Sequence, residues 1–272
     1  MKRLAWISDI HLNFLDAAGR REFCAGLAAA APDAVLLGGD IAESPQLCHH
    51  LLEMAEALRR PIYFVLGNHD FYRGSIAETR RRVAQLADDS PLLAYLSRTG
   101  VVEVGPQTAL VGHDGWADGR EGDFAHSEVI LNDYLLIEEL TKFEGGLELD
   151  RHALGSELAA LGDEAAAHFA AVLPQALETH RRVIALTHVP PFREACWYQG
   201  RISDDDYLPH FACRAVGQLL REVMQSRPDR ELLVLCGHTH GEGQARILDN
   251  LRVLTAGADY GRPTIQQIFE FE

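Results

Sequence analysis

Ile62-Tyr63-Phe64-Val65-Leu66-Gly67-Asn68-His69-Asp70 joins a short apolar run to a glycine and three polar residues. The run is brief, apolar and rich in β-branched and aromatic residues, and a glycine ends it, so it reads as a buried strand. Four other runs end in the same way. Leu4–Ser8 enters Asp9-Ile10-His11, and Ala34–Leu37 enters Gly38-Gly39-Asp40. Val183–Thr187 ends at His188 ahead of Pro190-Pro191, and Leu232–Cys236 enters Gly237-His238-Thr239-His240. Helical patterns at Gly19–Ala31, Pro45–Arg59 and Ser75–Ala87 follow the first three of these strands along the chain. Strand–helix repetition of this kind predicts a parallel βαβ core. In an open α/β sheet, the loops at the carboxyl ends of the strands converge on one crevice, which is where these polar residues gather.

Outward from that core, further strands are expected at Val101–Val104, Thr108–Val111, Gln244–Leu248, Leu251–Thr255 and Thr264–Phe271. The last three are close together and joined by short turns, so antiparallel pairing among them is expected. Helices are expected at Ser127–Thr141, His152–His180 and Pro209–Gln225. The stretch 112–162 breaks the rhythm with glycines and acidic residues. It reads as an insertion or cap on a single domain spanning residues 1–272.

The 272 residues hold 40 Asp+Glu against 25 Lys+Arg, a net charge of −15, which disfavours a protein that grips long nucleic acid by its phosphates. Hydrophobic residues at 47% and charged residues at 24% are those of a folded globular chain. Five cysteines with no C-x-x-C pair argue against a disulfide framework and against a thiolate zinc site. Met1–Leu12 lacks the apolar segment of a signal peptide, and no run is long enough to span a membrane, so a cytoplasmic location is expected.

Besides Asp70, the five strand ends supply two aspartates, one asparagine and five histidines. Imidazole nitrogens mixed with carboxylate and amide oxygens suit a divalent transition metal, whereas Mg²⁺ and Ca²⁺ prefer oxygen alone. Asp9/His11 and His238/His240 stand at i and i+2, which puts both members on one side of an extended segment. A single His-x-His or Gly-Asp is usually a solvated turn. Five such clusters of one chemical type in one chain point to a metal site. The helical-pattern histidines His49, His50, His126, His152, His168 and His180 read as ordinary surface or core residues.

The ordered set D-I-H at 9–11, G-D at 39–40, G-N-H-D at 67–70, T-H-V-P-P at 187–191 and G-H-T-H at 237–240 resembles the calcineurin-like metallophosphoesterases. The resemblance implies an α/β four-layer sandwich, two mixed β-sheets flanked by helices, with two divalent transition-metal ions (Mn, Fe, Zn or Ni) in the crevice. It implies that Asp9, His11 and His240 hold one ion, that Asn68, His188 and His238 hold the other, and that Asp40 bridges them. His69 would stay off the metals and protonate the leaving group. The expected reaction is hydrolysis of a phosphoester by in-line attack of a metal-bridging hydroxide.

Departures narrow the branch. Purple acid phosphatases carry a tyrosine three residues after the bridging aspartate, and here it is Glu43. Phosphoprotein phosphatases carry an acid there that orients the catalytic histidine, a role open to Glu43. Their phosphate-clamping arginine after that acid, and their arginine just before G-N-H, are replaced by Ser44 and Leu66. The closest likeness is to small bacterial members, which include phosphodiesterases.

Two segments are candidate walls for the crevice, Gly112–Trp116 and Phe192–His210, the second offering Arg193, Trp197, Tyr198, Arg201 and Tyr207. Taken singly, each of these has packing or solvation of its own loop as the plainer explanation. The expected substrate is a small or exposed phosphoester, with no membrane partner and no extended nucleic acid. One alternative is a nuclease-like phosphodiesterase acting on nucleic-acid ends. Another is a catalytically silent scaffold of the same fold, against which stands the complete set of seven donors and His69.

Overall fold

The structure is a computed structural model that describes residues 2–142, 144–145 and 148–271. The chain runs β1 (Lys2–Ile7), α1 (Ala17–Ala29), β2 (Ala34–Leu37), α2 (Ser44–Leu58), β3 (Ile62–Phe64), α3 (Ile76–Asp89) and β4 (Leu93–Tyr95). It continues through β5 (Val102–Gly105), β6 (Thr108–His113), α4 (Asp133–Leu136), α5 (Glu138–Thr141), β7 (Glu144–Gly145), β8 (Glu148–Leu149) and α6 (Arg151–Thr179). After β9 (Arg182–Thr187) come β10 (Trp197–Tyr198), β11 (Arg201–Ile202), α7 (Leu208–Phe211) and α8 (Arg214–Gln225). The chain ends with β12 (Glu231–Cys236), β13 (Gly243–Leu248), β14 (Leu251–Thr255) and β15 (Gln267–Phe271).

Two mixed sheets form the centre. The first has the order β15-β1-β2-β3-β4, parallel from β1 to β4 and antiparallel where β15 joins β1. The second has the order β13-β14-β12-β9-β6-β5, with four parallel strands inside and antiparallel edges. The period of two along each strand builds the layers. Leu4, Trp6 and Leu36 join Ile184, Leu186 and Leu235 in a core shared by both sheets. Ala5, Ile7, Val35 and Leu37 face the other way, onto Leu27, Leu47, Leu51 and Val83 of the first three helices. Val183, Ala185, Val234 and Cys236 likewise meet Phe169 and Leu173 of α6 and Leu220 of α8. Burial on both faces is why these strands read as continuous apolar runs rather than as alternating ones.

The structure departs from the sequence expectation in several places. Of the last three strands, β13 and β14 form an antiparallel hairpin, but β15 crosses to the other sheet and pairs with β1. The connecting stretch contains Pro263 and runs past the crevice, and Gln266 N donates to Trp6 O as the chain joins β1. The helix expected over Ser127–Thr141 is reduced to the two single turns α4 and α5. β4, three residues long, carried no signal of its own. The stretch 112–162 starts at the end of strand β6 and ends inside α6, where Leu154 and Leu158 are buried in the core of the first sheet. Among the described residues no helix is long and apolar enough to cross a membrane.

Candidate metal centre

All five strand ends open at the same edge of the two sheets. Their backbone is held in an uncommon conformation there. Asp9, His11, Asp40, His238 and His240 have φ between 40° and 70°, the left-handed region that L-residues avoid. Such strain persists only where the surroundings over-determine it, and it gathers at functional sites. Neighbouring glycines make the turns possible. A Cβ on Gly67 would run into the Asp40 carboxylate, and one on Gly237 into that of Asp9. The Asp70 carboxylate, fully buried, accepts from the N–H groups of Ile41, Ala42 and Gly67 and so ties two of the loops together.

One group of donors consists of Asp9, His11, Asp40 and His240, whose ligating atoms lie within 4.8 Å of one another. His11 Nε2 and His240 Nε2 face each other at 3.2 Å, and Asp9 Oδ1 lies 3.5 Å from His240 Nε2. Asp40 divides its carboxylate, with Oδ2 3.6 Å from His11 Nε2 and Oδ1 3.3 Å from His188 Nε2.

The second group is Asn68, His188 and His238, and its hydrogen bonds fix the protons. His188 Nδ1 is 2.8 Å from Gly38 O and His238 Nε2 is 2.9 Å from His210 O. A carbonyl only accepts, so each of these nitrogens carries the hydrogen and the other ring nitrogen presents a lone pair. Those lone pairs, on His188 Nε2 and His238 Nδ1, lie 3.1 and 2.9 Å from Asn68 Oδ1. The Asn68 amide is fixed in turn, because its Nδ2 donates to Asp133 Oδ1 at 2.8 Å. Two imidazole lone pairs and an amide oxygen thus converge beside a carboxylate with no hydrogen among them. A divalent cation would satisfy that set of donors.

The electrostatics agree. Burial and the adjacent Asp9 charge push the Asp40 carboxyl well above the usual carboxylate range. Burial also pushes Asp9 up, but the imidazoles of His188, His240 and His11 outweigh it and hold Asp9 low. His11 is driven down to about 2 by burial and by the imidazole of His69. Positive charge on His11 is therefore resisted, and burial resists it on His238 too, while a compact cation between the carboxylates would be favoured.

His69 lies beside the first group, its Nε2 3.9 Å from Asp40 Oδ2 and its ring centroid 4.7 Å from that of His11. Its backbone N–H donates to Asp40 Oδ1, but its ring lies over Tyr72 with centroids 4.2 Å apart and reaches toward the mouth. Burial lowers its pKa, and the Asp133 carboxylate is the largest counterweight. Glu43 is not in contact with His69. Its carboxylate binds Arg73 Nε at 2.8 Å, and it acts on His69 through charge alone.

Sequence reasoning missed several residues. Asp133 and Tyr72 back the second group, and Tyr72 Oη donates to Asp133 Oδ1 at 2.7 Å. His210 supplies the carbonyl that sets the tautomer of His238. Tyr260, half exposed, lies with its ring 4.6 Å from His11 and 5.0 Å from His240, and Phe14 lies 4.8 Å beyond it. No spacing rule marks any of the four. Asp114, in a segment read as a crevice wall, is instead a buried fastening: it accepts from Leu66 N, Ser97 Oγ, Tyr95 Oη and Arg80 Nε. Arg193, in the other candidate wall, is bound to Asp205 at 2.7 Å.

No curated protein shows a significant sequence match to the chain. Solved structures of similar fold include the phosphopantetheinyl hydrolase PptH of Mycobacterium tuberculosis, at TM-score 0.63 and 15% identity over 94% of this chain and 89% of that one. A dimetal phosphatase from Danio rerio superposes at TM-score 0.59 and 16% identity, covering 94% of this chain and 87% of its own. The family model for calcineurin-like phosphoesterases matches residues 2–242, so the chain that folds these five strand ends into one crevice belongs to that family of phosphoester hydrolases.

Proposed function

We propose that the chain is a dinuclear metal-dependent hydrolase of small or exposed phosphoesters. Asp9, His11 and His240 hold one divalent ion, Asn68, His188 and His238 hold the other, and Asp40 serves both. The observation that carries this reading is the hydrogen-free convergence of His188 Nε2, His238 Nδ1 and Asn68 Oδ1 beside Asp40. When bound, two such ions lower the pKa of water to roughly 7 and neutralise the phosphoryl oxygens of an in-line displacement.

The protein's own groups do the rest. The bonds from His188 to Gly38 O and from His238 to His210 O hold both rings in the ligating tautomer. His69, beside the first donor group and partly exposed, delivers a proton to the departing alkoxide, a role worth about 10²–10⁴-fold. Tyr72 stacks under its ring and keeps it aimed. Glu43, held by Arg73, adds negative charge that favours the protonated imidazole. The substrate class follows from charge. The chain carries −15, and the guanidiniums of Arg80 and Arg193 are paired with Asp114 and Asp205. The single domain spans residues 1–272, and its 112–162 stretch contributes Asp133 to the site rather than folding separately.

The test is metal reconstitution followed by an activity screen over paired mono- and diesters of the same alcohol, with single-stranded DNA alongside. Hydrolysis of small esters over DNA is expected. In parallel, His69→Ala retains both ions and loses most activity, by about 10²-fold or more. Metal depletion in that variant overturns its role as proton donor, and DNA cleavage outrunning the esters favours the nuclease reading. A metal-loaded wild type that hydrolyses none of these esters overturns the enzyme assignment.

A further inference from the structure

Asp133 belongs to no motif and lies at the start of α4, yet its side chain is buried against the second donor group. Its Oδ1 accepts from Asn68 Nδ2 at 2.8 Å and from Tyr72 Oη at 2.7 Å. Asn68 Nδ2 also reaches Tyr72 Oη at 3.3 Å, which closes a triangle on the side of the amide away from the histidines.

What the triangle prevents is specific. An asparagine amide has an acceptor end and a donor end of nearly the same shape. Turned over, Asn68 would present its NH₂ to the lone pairs of His188 Nε2 and His238 Nδ1, which lie 3.1 and 2.9 Å from the present oxygen. Both rings would then be satisfied by hydrogen bonds, and the cation site would become a neutral, self-contained network lacking one oxygen ligand. The wrong orientation is therefore a strong competitor. It is disfavoured only because the donor end is already engaged elsewhere.

We propose that Asp133 is the positioning residue that locks the Asn68 amide with its oxygen toward His188 and His238, keeping the second ion's site open. The inference rests on the reading of Asn68, His188 and His238 as metal ligands. An acceptor facing Asn68 Nδ2 is what the lock requires; the negative charge of the carboxylate is not. This separates the lock from a simple attraction of Asp133 for cations, since an asparagine at this position still offers an amide oxygen and no charge.

The experiment is calorimetric titration of the metal-stripped full chain with Mn²⁺ alone, read as stoichiometry and two dissociation constants. The wild type is compared with Asp133→Asn and with two variants lacking an acceptor, Asp133→Leu and Asp133→Ala. Either acceptorless variant serves if it keeps a cooperative unfolding transition, and Asp133→Asn, nearly identical in shape, is informative by itself. In the acceptorless variants the second ion weakens by about 10–100-fold, the usual range for removing a partner that orients a ligand, while the first ion is held as before. Asp133→Asn stays near the wild type. Unchanged affinity for the second ion in a folded acceptorless variant overturns the proposal. A loss in Asp133→Asn as large as in Asp133→Leu overturns it as well, by assigning the effect to charge. Fewer than two ions bound by the wild type overturns the metal-site reading, and the lock with it. Esterase activity measured on the same samples separates that failure from one of the lock alone.

Discussion

Asp114→Ala tests the claim that a residue of the crevice's outer loop is a structural fastening. Asp114 is 1% exposed, and it joins the two sheets at the end where the site lies. From the end of β6 its carboxylate accepts from Leu66 N at 2.8 Å, Ser97 Oγ at 2.7 Å and Arg80 Nε at 3.0 Å, and from Tyr95 Oη as well. Its carbonyl accepts from His188 N at 2.9 Å. Alanine keeps that backbone bond and removes the rest. The hydroxyls of Ser97 and Tyr95 can rotate to other partners, but the Leu66 N–H is fixed and is left unsatisfied at a cost of about 1–3 kcal/mol. Arg80 keeps Glu164 at 2.9 Å, so losing its buried partner costs less than the roughly 3–5 kcal/mol of a fully broken pair. Together these give a destabilisation of about 3–5 kcal/mol, a large share of the roughly 5–15 kcal/mol typical of a folded domain. Urea unfolding followed by circular dichroism, with chelator present so that metal binding does not enter, measures it. Asp114→Asn retains an acceptor for Leu66 and is expected to lose less. The acid limb is a second signature. Burial pushes the Asp114 carboxyl up, but Arg80 and His113 outweigh it and hold it below 3.8. A depressed carboxylate contributes stability above its unfolded pKa and loses it as pH falls, so this contribution fades below about pH 4 and is absent from Asp114→Asn. A loss under about 1 kcal/mol in Asp114→Ala, the net value of a single ordinary hydrogen bond, refutes the reasoning.

Two other outcomes follow from the same geometry. Tyr260→Ala removes the ring that stands beside His11, His240 and His69, leaving metal content unchanged; kcat/KM for aryl esters falls by about 2–12-fold, the equivalent of roughly 0.5–1.5 kcal/mol of aromatic contact, while alkyl esters are spared. His210 is fully buried between Tyr134 Oη and Ser127 Oγ, and burial lowers it to about 4 from 6.5. Its folded pKa is depressed, so its contribution is complete above pH 6.5 and declines as pH falls toward 4, by up to ~3 kcal/mol. The difference in urea midpoint between wild type and His210→Gln, measured at pH 5 and pH 7.5, reads that decline, and an equal difference at both pH values argues against a buried neutral imidazole.

What the sequence revealed and what it concealed divide along a physical line. The five strand ends were legible because strand termini are local: an apolar run, a glycine and a donor are adjacent in the chain, and the parallel sheet brings the ends together whatever the details. Asp9, His11, Asp40, Asn68, His188, His238 and His240 could thus be named before any coordinates, and the structure gathers them. The groups that set their protonation are not local. Asp133 meets Asn68 across 65 residues, and His238 meets His210 O across 28, through a backbone atom that every residue type possesses. β15 was misplaced for a related reason. A strand's partner depends on which sheet edge is free, and β13 already occupied the edge beside β14.

That division bears on how such a site discriminates between a working and a silent chain. The donor set alone does not distinguish them, because Asn68 and the two histidines can equally close on one another through hydrogen bonds. The outcome depends on the residues behind: Gly38 O and His210 O, which place the ring protons, and Asp133, which takes up the donor end of the amide. All three contacts point the hydrogens outward and the lone pairs inward. A chain that kept the seven donors but lost this outer set would satisfy every motif while the second donor group closed on itself. On the reading proposed above, competence for metal is a property of where the protons are held, and Asp133 contributes to it from outside the strand ends.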